Sequence, residues 1–335
     1  MKLFVTIFCL LITATTIAQD PHFSQFFSSP MTLNPAFTGK FNGMVRGAIN
    51  YRNQWPTINR AYQTVTAAVD FPILSAKIPE NDTWGVGLMG YSDKSAAGAV
   101  SFNYYSLSTA YHKGLDEDGY KQLGLGFQAT YSNMLIDASK LTFEDQLTAS
   151  GFTNPTQELI GGNIKLKANY FDLNAGILYS MSTTDENNFY AGVSLYHINR
   201  PKQEFTEVNY SLYPRATIHA GGYFPVGQQT ILHLSGLFST QAGAKETLLG
   251  GAMQFMANDS ESGNPVSFYG GAWMRFGDAL IPYLGLEFND LRVGASYDIN
   301  ISDLKTASES RGGIEISLIY IMKHPDGKFV PCPKF

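Results

Sequence analysis

The sequence predicts an all-β protein, a transmembrane antiparallel β-barrel of about 14 strands with long extracellular loops. Three observations carry this expectation. A secretory leader opens the chain. No later apolar stretch approaches the roughly 20 residues that a helical span needs. From about residue 43 to residue 322, short segments alternate apolar and polar side chains.

The leader is read from its charge and spacing. Lys2 gives a positive start, and residues 3–12 form an apolar run too short to cross a bilayer as a helix. Thr16 and Ala18 place small residues at the −3 and −1 positions of a cleavage site. Residues 1–18 are therefore a signal peptide, and the mature chain is expected to begin at Gln19. Cys9 lies within the apolar run rather than at the cleavage point, which disfavours a lipoprotein. Cys332 is then the single cysteine of the mature chain, so neither an intrachain disulfide nor a cysteine-based metal site is available.

Composition points the same way. Hydrophobic residues make up 44% of the 335 and charged residues only 15%, a low share for a soluble surface. The 19 Tyr and 23 Phe suit two aromatic girdles in contact with outer-membrane lipid. A membrane protein without apolar helices must close its sheet, because lipid offers open backbone groups no partner. The net charge of −5 argues against nucleic acid.

The expected strands cover residues 44–52, 62–71, 84–91, 100–111, 120–132, 169–180 and 189–198. They continue with 215–224, 230–240, 247–257, 266–276, 280–288, 291–300 and 313–322. Leu123, Leu125, Phe127, Ala129 and Tyr131 alternate with Gln122, Gly124, Gly126, Gln128 and Thr130. One face meets lipid and the other lines the lumen. An even strand count puts both ends of the barrel, and both ends of the chain, in the periplasm. Residues 225–229 and 289–290 are then short periplasmic turns. The long connections 133–168 and 199–214 fall outside.

Two segments flank the barrel domain, 43–322. In the first, 19–42, Phe23, Phe26 and Phe27 sit at helical spacing, and one turn could bury all three. With Phe37 they form a candidate plug, periplasmic or lumenal, since exposed they would make an apolar, aggregation-prone tail. Asn34-Pro35 ends any helix there. The second, 323–335, is a periplasmic tail in which Pro325, Pro331 and Pro333 block further strand pairing.

Candidate chemistry is sparse. None of the six His has a metal-binding spacing. His219 and His233 are the best pair, on neighbouring strands, both facing the lumen at about one level. Without a third ligand, hydrogen-bonded lumen residues explain them better than a metal. No spacing brings a nucleophile to a base, so neither an enzyme nor a cofactor is expected. Alternation sends Arg46, Arg52, Arg215, Arg275, Glu287, Arg292, Asp298 and Glu315 inward. Glu287 and Arg292 should face each other across the turn at 289–290. Such charges either plug the lumen by pairing or are solvated in an open one; a barrel of this size favours the plug. Outside, Leu141, Phe143, Leu147, Phe152 and Leu159 on 135–165, with Phe205, Tyr210 and Tyr213 on 200–213, have no lipid to face. They pack on each other as a lid or on a partner.

Specific motifs add to this. The start reads Gln19-Asp20-Pro21-His22-Phe23-Ser24-Gln25-Phe26, followed by Leu33-Asn34-Pro35-Ala36-Phe37-Thr38-Gly39. Further on come Tyr170-Phe171-Asp172-Leu173-Asn174, His197-Ile198-Asn199-Arg200-Pro201-Lys202 and Trp273-Met274-Arg275-Phe276-Gly277-Asp278. Gly312-Gly313-Ile314-Glu315-Ile316-Ser317 and Cys332-Pro333-Lys334-Phe335 close the chain. Over essentially the whole mature length this resembles the PorP/SprF family of Bacteroidota, associated with type IX secretion. The resemblance implies a non-enzymatic outer-membrane barrel for export, anchoring or surface display of a secreted adhesin-like cargo, related to gliding motility. The implied partners are the cargo's C-terminal domain and the periplasmic ring and peptidoglycan-linked components of the system. The residues alone leave room for a general porin or transporter of small solutes.

Overall fold

The structure is a computed structural model that describes residues 20, 22–58, 62–153, 156, 165–184, 187–204, 209–257 and 265–323. The signal peptide, most of the tail, and with it Cys332, lie outside the described residues. A closed barrel of 14 antiparallel strands accounts for most of the chain. They are β1 Val45–Gln54, β2 Tyr62–Ile73, β3 Thr83–Ser95, β4 Val100–Gly114, β5 Lys121–Asp137, β6 Lys165–Met181 and β7 Asn188–Tyr196. The other half comprises β8 Arg215–Gly227, β9 Thr230–Gln241, β10 Ala244–Met256, β11 Val266–Arg275, β12 Ala279–Phe288, β13 Leu291–Asn300 and β14 Arg311–Met322. Each strand pairs with its sequence neighbour, and β1 with β14 closes the sheet, so no edge is left for lipid.

Alternation holds strand by strand. On β5 the exposed Leu123, Leu125, Phe127 and Tyr131 alternate with buried Gln122, Gln128, Thr130 and Ser132. In a barrel the exposed apolar row is the lipid face and the buried polar row is the lumen. The 14 strands match the number expected from the sequence. Their ends differ: β5 and β6 run 17 residues each and pair from Lys121↔Met181 to Asp137↔Lys165. Leu135, Ile136 and Lys165, read as loop, are therefore strand. The hairpin rises past the membrane because its protein-paired backbone needs no lipid.

Strand ends define two mouths. β1 begins and β14 ends at one, joined by tight turns such as that between Phe288 and Leu291. The other carries the longer connections, 138–164 and 197–214, and is called the loop mouth below.

The lumen is occupied by the chain's own amino-terminal segment, residues 22–43. It forms a 3-10 turn Phe26–Ser28, a single α turn Pro30–Leu33 and a second 3-10 turn Pro35–Phe37. Pro30 and Pro35 start two of these turns, where their missing N–H costs nothing. Phe23, Phe26, Phe27 and Phe37 are all buried. They do not share one helical turn. Phe27 packs on Trp273 and Tyr283, at 4.8 and 5.4 Å between ring centroids, whereas Phe23 meets Tyr91 at 6.2 Å. With inward-facing Leu178, Leu248 and Ile281, Phe26, Phe27 and Phe37 make an apolar core inside the barrel. Burying each Phe contributes roughly 1.5–3 kcal/mol.

Small residues make room for this segment. Register aligns Gly85, Ala110, Gly126, Gly176 and Ser194 across β3 to β7. A Cβ on Gly126 would come within 2.2 Å of Ala36 N, and one on Gly176 within 1.9 Å of Asn34 Oδ1. Gly39, at φ +73°, lies against Gly85 backbone to backbone.

Direction along the lumen corrects one expectation. Residues 39 and 40 sit near the turn mouth, where Gly39 N donates to Asp70 Oδ2 at 2.7 Å. Asp20 lies at the loop mouth, bonded to Gln241 at the end of β9. The two barrel ends meet at one mouth as expected, but the start of the described chain is at the other. The segment is held there because its polar partners line the full height of the lumen.

Two outcomes are expected. Gly176→Leu should expel the segment while the barrel stays assembled, read as lost amide-exchange protection over residues 22–43. Gly47→Ala, whose Cβ would meet nothing within 4 Å, should change nothing. A cysteine at Thr148 should label on intact cells and one at Gln228 should not; the reverse pattern would invert the barrel.

Candidate functional site

The plug is held by buried charge. Arg52 on β1 faces Asp298 on β13 at 2.8 Å and Glu315 on β14 at 3.1 Å. Arg275 on β11 meets the same Asp298 at 3.0 Å and Glu246 at 3.0 Å. All are at most a few per cent exposed except Glu246, whose side chain keeps 21%. Charges at such depth need full pairing. The plug supplies part of it. Ser24 N and Gln25 N donate to the two oxygens of Glu315 at 2.8 and 2.9 Å. Ser24 Oγ donates to Asp298 at 2.7 Å and accepts from Arg275 and Arg52. Gln25 Nε2 donates to Ser296 and to the Glu315 carbonyl, and its oxygen accepts from Ser317 Oγ at 2.6 Å.

Lower down, Asn34 acts as both cap and tether. Its oxygen accepts from Ala36 N at 2.8 Å, and its amide nitrogen lies 2.9 Å from His219 Nε2. Ser194 Oγ donates to Leu33 O at 2.7 Å, and Tyr196 OH to Met31 O at 2.8 Å. Arg46 pairs with Asp70 at 2.8 Å and donates to Phe37 O. Lys40 Nζ donates to Gln122.

The top of the plug is a latch. Asp20 Oδ2 lies 2.7 Å from His197 Nε2 and 3.5 Å from Arg215 Nε, and His197 Nδ1 lies 3.0 Å from Asp172. Burial would lower the His197 pKa, but the Asp20 and Asp172 carboxylates outweigh it and hold it up at about 9. Burial works against the Asp20 carboxylate too, and His197 and Arg215 keep it well below the usual range.

The inward charges named from the sequence thus fall into separate groups. Arg52, Arg275, Asp298 and Glu315 form one cluster. Arg46 and Arg215 anchor opposite ends of the plug. Glu287 and Arg292 pair with each other at 2.7 Å near the turn mouth. His219 and His233 both face the lumen, yet not at one level: His219 registers with Leu237 and His233 with Tyr223. His233 bonds Gln254 rather than its proposed mate. No group of three potential metal ligands occurs among the described residues. Sequence reasoning missed Asp20, Ser24, Gln25 and Asn34, and the inward Asp70, Asp172 and Glu246. Alternation alone could have found Asp70 and Asp172.

At the loop mouth, Leu147 and Phe152 pair across a two-residue hairpin and stay exposed. Tyr213 is exposed, while Leu141 and Phe143 are half-buried. Leu159, Phe205 and the Tyr210 side chain lie outside the described residues. The hairpin of Lys202–Glu204 with Asn209–Ser211 folds over the mouth, burying Gln203 and Leu212.

The family described as type IX secretion system membrane protein PorP/SprF matches residues 15–320. The chain belongs to the PorP/SprF family. It is therefore an outer-membrane barrel of a secretion system. The chain has no significant match among curated proteins. Among solved structures it is similar to the CymD monoaromatic hydrocarbon channel, with 10% identity, TM-score 0.46, and 89% and 93% of the two chains covered. The P. putida toluene transporter TodX gives 8%, 0.46, and 87% and 93%. The translocator domain of the autotransporter NalP from Neisseria meningitidis gives 12%, 0.40, and 84% and 88%.

Two outcomes follow from the charges. Glu315→Gln leaves Arg52 and the Ser24 and Gln25 amides short of a charged acceptor, and should cost about 3–5 kcal/mol of stability. Denaturant unfolding of the barrel in detergent measures it. The latch depends on pH through His197. Its pKa rises from 6.5 to about 9 on folding, so its contribution is fully present below 6.5 and lost as pH climbs through 9. Protection at residues 22–25 should fall above pH 9 while that at residues 36–39 persists.

Proposed function

We propose that this PorP/SprF barrel is a non-enzymatic docking body that supports export, anchoring or surface display of a secreted adhesin-like cargo, in the service of gliding motility. In this reading the loop mouth faces outward and binds the C-terminal domain of the cargo. The turn mouth faces the periplasmic ring and peptidoglycan-linked components of the system. The observation that carries it is the filled lumen. A diffusion pore for small solutes needs a continuous path, and here buried hydrogen bonds fix a folded segment across it. What remains for a partner is the outer rim, where exposed Leu147, Phe152 and Tyr213 stand among polar residues. Apolar and tyrosine anchors with a polar surround suit a protein interface.

Deleting residues 150–162, or combining Leu147→Ser with Phe152→Ser and Tyr213→Ser, should leave the barrel assembled. Secreted protein that co-purifies with it and is protease-accessible on intact cells should fall by roughly tenfold or more, as for loss of interface anchors. Unchanged retention in both variants would place the binding surface elsewhere.

A further inference from the structure

The plug does not fill the lumen evenly. Above it, at the loop mouth, a cavity of about 460 Å³ remains beside β2, β3 and β4. Trp55, Tyr62, Phe102 and Tyr104 line it, with Asp93 and Asp20. Trp55 and Tyr62 meet edge to face at 5.6 Å, and Phe102 stacks parallel to Tyr104 at 6.3 Å.

Asp93 is the anomaly. It is 3% exposed, yet its described polar partner is a hydroxyl: Thr64 Oγ1 donates to it at 2.5 Å. Among the described residues, the other inward acids of the upper lumen face a cation or the plug. Asp20 has His197 and Arg215; Asp298 and Glu315 have Arg52. Arg52 sits in the same cross-strand row, through Arg52↔Thr64 and Thr64↔Asp93, but it is bonded on the opposite side to β13 and β14. Among the described residues no cation faces this carboxylate, which opens into an aromatic-walled space, so a cationic side chain entering that space would complete an ion pair. Aromatic faces attract cations and add to the carboxylate's pull.

We propose that this vestibule receives an arginine or lysine side chain of the secreted partner, paired to Asp93 and flanked by Trp55, Tyr62 and Phe102. This rests on the display reading above and names the chemistry the partner must present. Gln203 and Leu212, from the loop assigned to that interface, form part of the same wall. A partner seated on the rim is therefore already beside the opening. Insertion of the side chain would neutralise Asp93 and tie the partner to the barrel wall as well as to the loops.

The test uses the purified full barrel in detergent, with Nα-acetyl-arginine N-methylamide and its neutral isostere Nα-acetyl-citrulline N-methylamide as probes in saturation-transfer NMR titrations. The arginine amide should bind roughly ten- to a hundredfold more tightly than the citrulline amide, the range of a charge-assisted bond. Asp93→Asn should erase that preference, and Tyr62→Leu should weaken binding of the arginine amide with Asp93 in place. Heat-modifiable migration checks that both variants assemble. Equal binding of the two amides, or a preference that survives Asp93→Asn, would overturn the proposal. In cells, Asp93→Asn with intact loops should reduce retained secreted protein. If amide binding requires Asp93 but retention is unchanged, the site takes a free cation and the assignment to a partner is wrong. If retention is lost in the loop variants yet unaffected by Asp93→Asn, the display reading stands and this inference fails. Retention that survives in every variant sinks both.

Discussion

The structure depends on one constraint: lumen carboxylates and guanidiniums, cut off from bulk water, must find partners inside the protein. Glu315 shows how the constraint is met. It accepts from Arg52, from the Asn50 side chain and from the backbone amides of Ser24 and Gln25. The wall supplies the cation, but only the amino-terminal segment supplies the two amides. Asp298 is in the same position, sharing Arg52 and Arg275 with the Ser24 hydroxyl. The plug and barrel are thus one hydrogen-bonded body. A wall of this composition without its plug would hold buried charge with incomplete pairing.

That constraint explains why the interior is built in two materials. Next to β10, β11 and β12 the wall turns apolar and aromatic, and Phe26 and Phe27 close against Trp273 and Tyr283 as in a soluble core. Across β3 to β7 one row of the wall is reduced to glycine, alanine and serine, so the plug backbone can lie directly on the strands there. Where the plug ends, polar and aromatic side chains are left facing open space, and the loop-mouth cavity begins. The outer face carries apolar rows for lipid throughout. The docking role proposed above rests on this division: the lumen is filled by the plug, and the loop mouth keeps its exposed side chains.

Much of this was legible in the chain because a barrel strand reports its orientation residue by residue. The two-residue period gave the strand number and correctly sent Arg52, Arg275, Asp298 and Glu315 inward, and the turn at 289–290 placed Glu287 opposite Arg292. Period alone says nothing about height. His219 and His233 share a face but are four positions apart in register, which depends on where the 228–229 turn closes. The plug was harder still. Phe23, Phe26 and Phe27 advertise burial, but Ser24, Gln25 and Asn34 carry no pattern until their partners, some 140 to 290 positions away, are placed beside them. The ends of β5 and β6 were misjudged because pairing continues beyond the apolar belt, where alternation no longer contrasts lipid with lumen.

The amino-terminal segment is an integral part of the barrel and closes it. Planar-bilayer conductance of the purified full-length protein, compared with a variant lacking residues 22–39, tests this directly. The full-length barrel should show no stable open channel, and the shortened one, once assembled, should conduct. A large, steady conductance from the intact protein would contradict it.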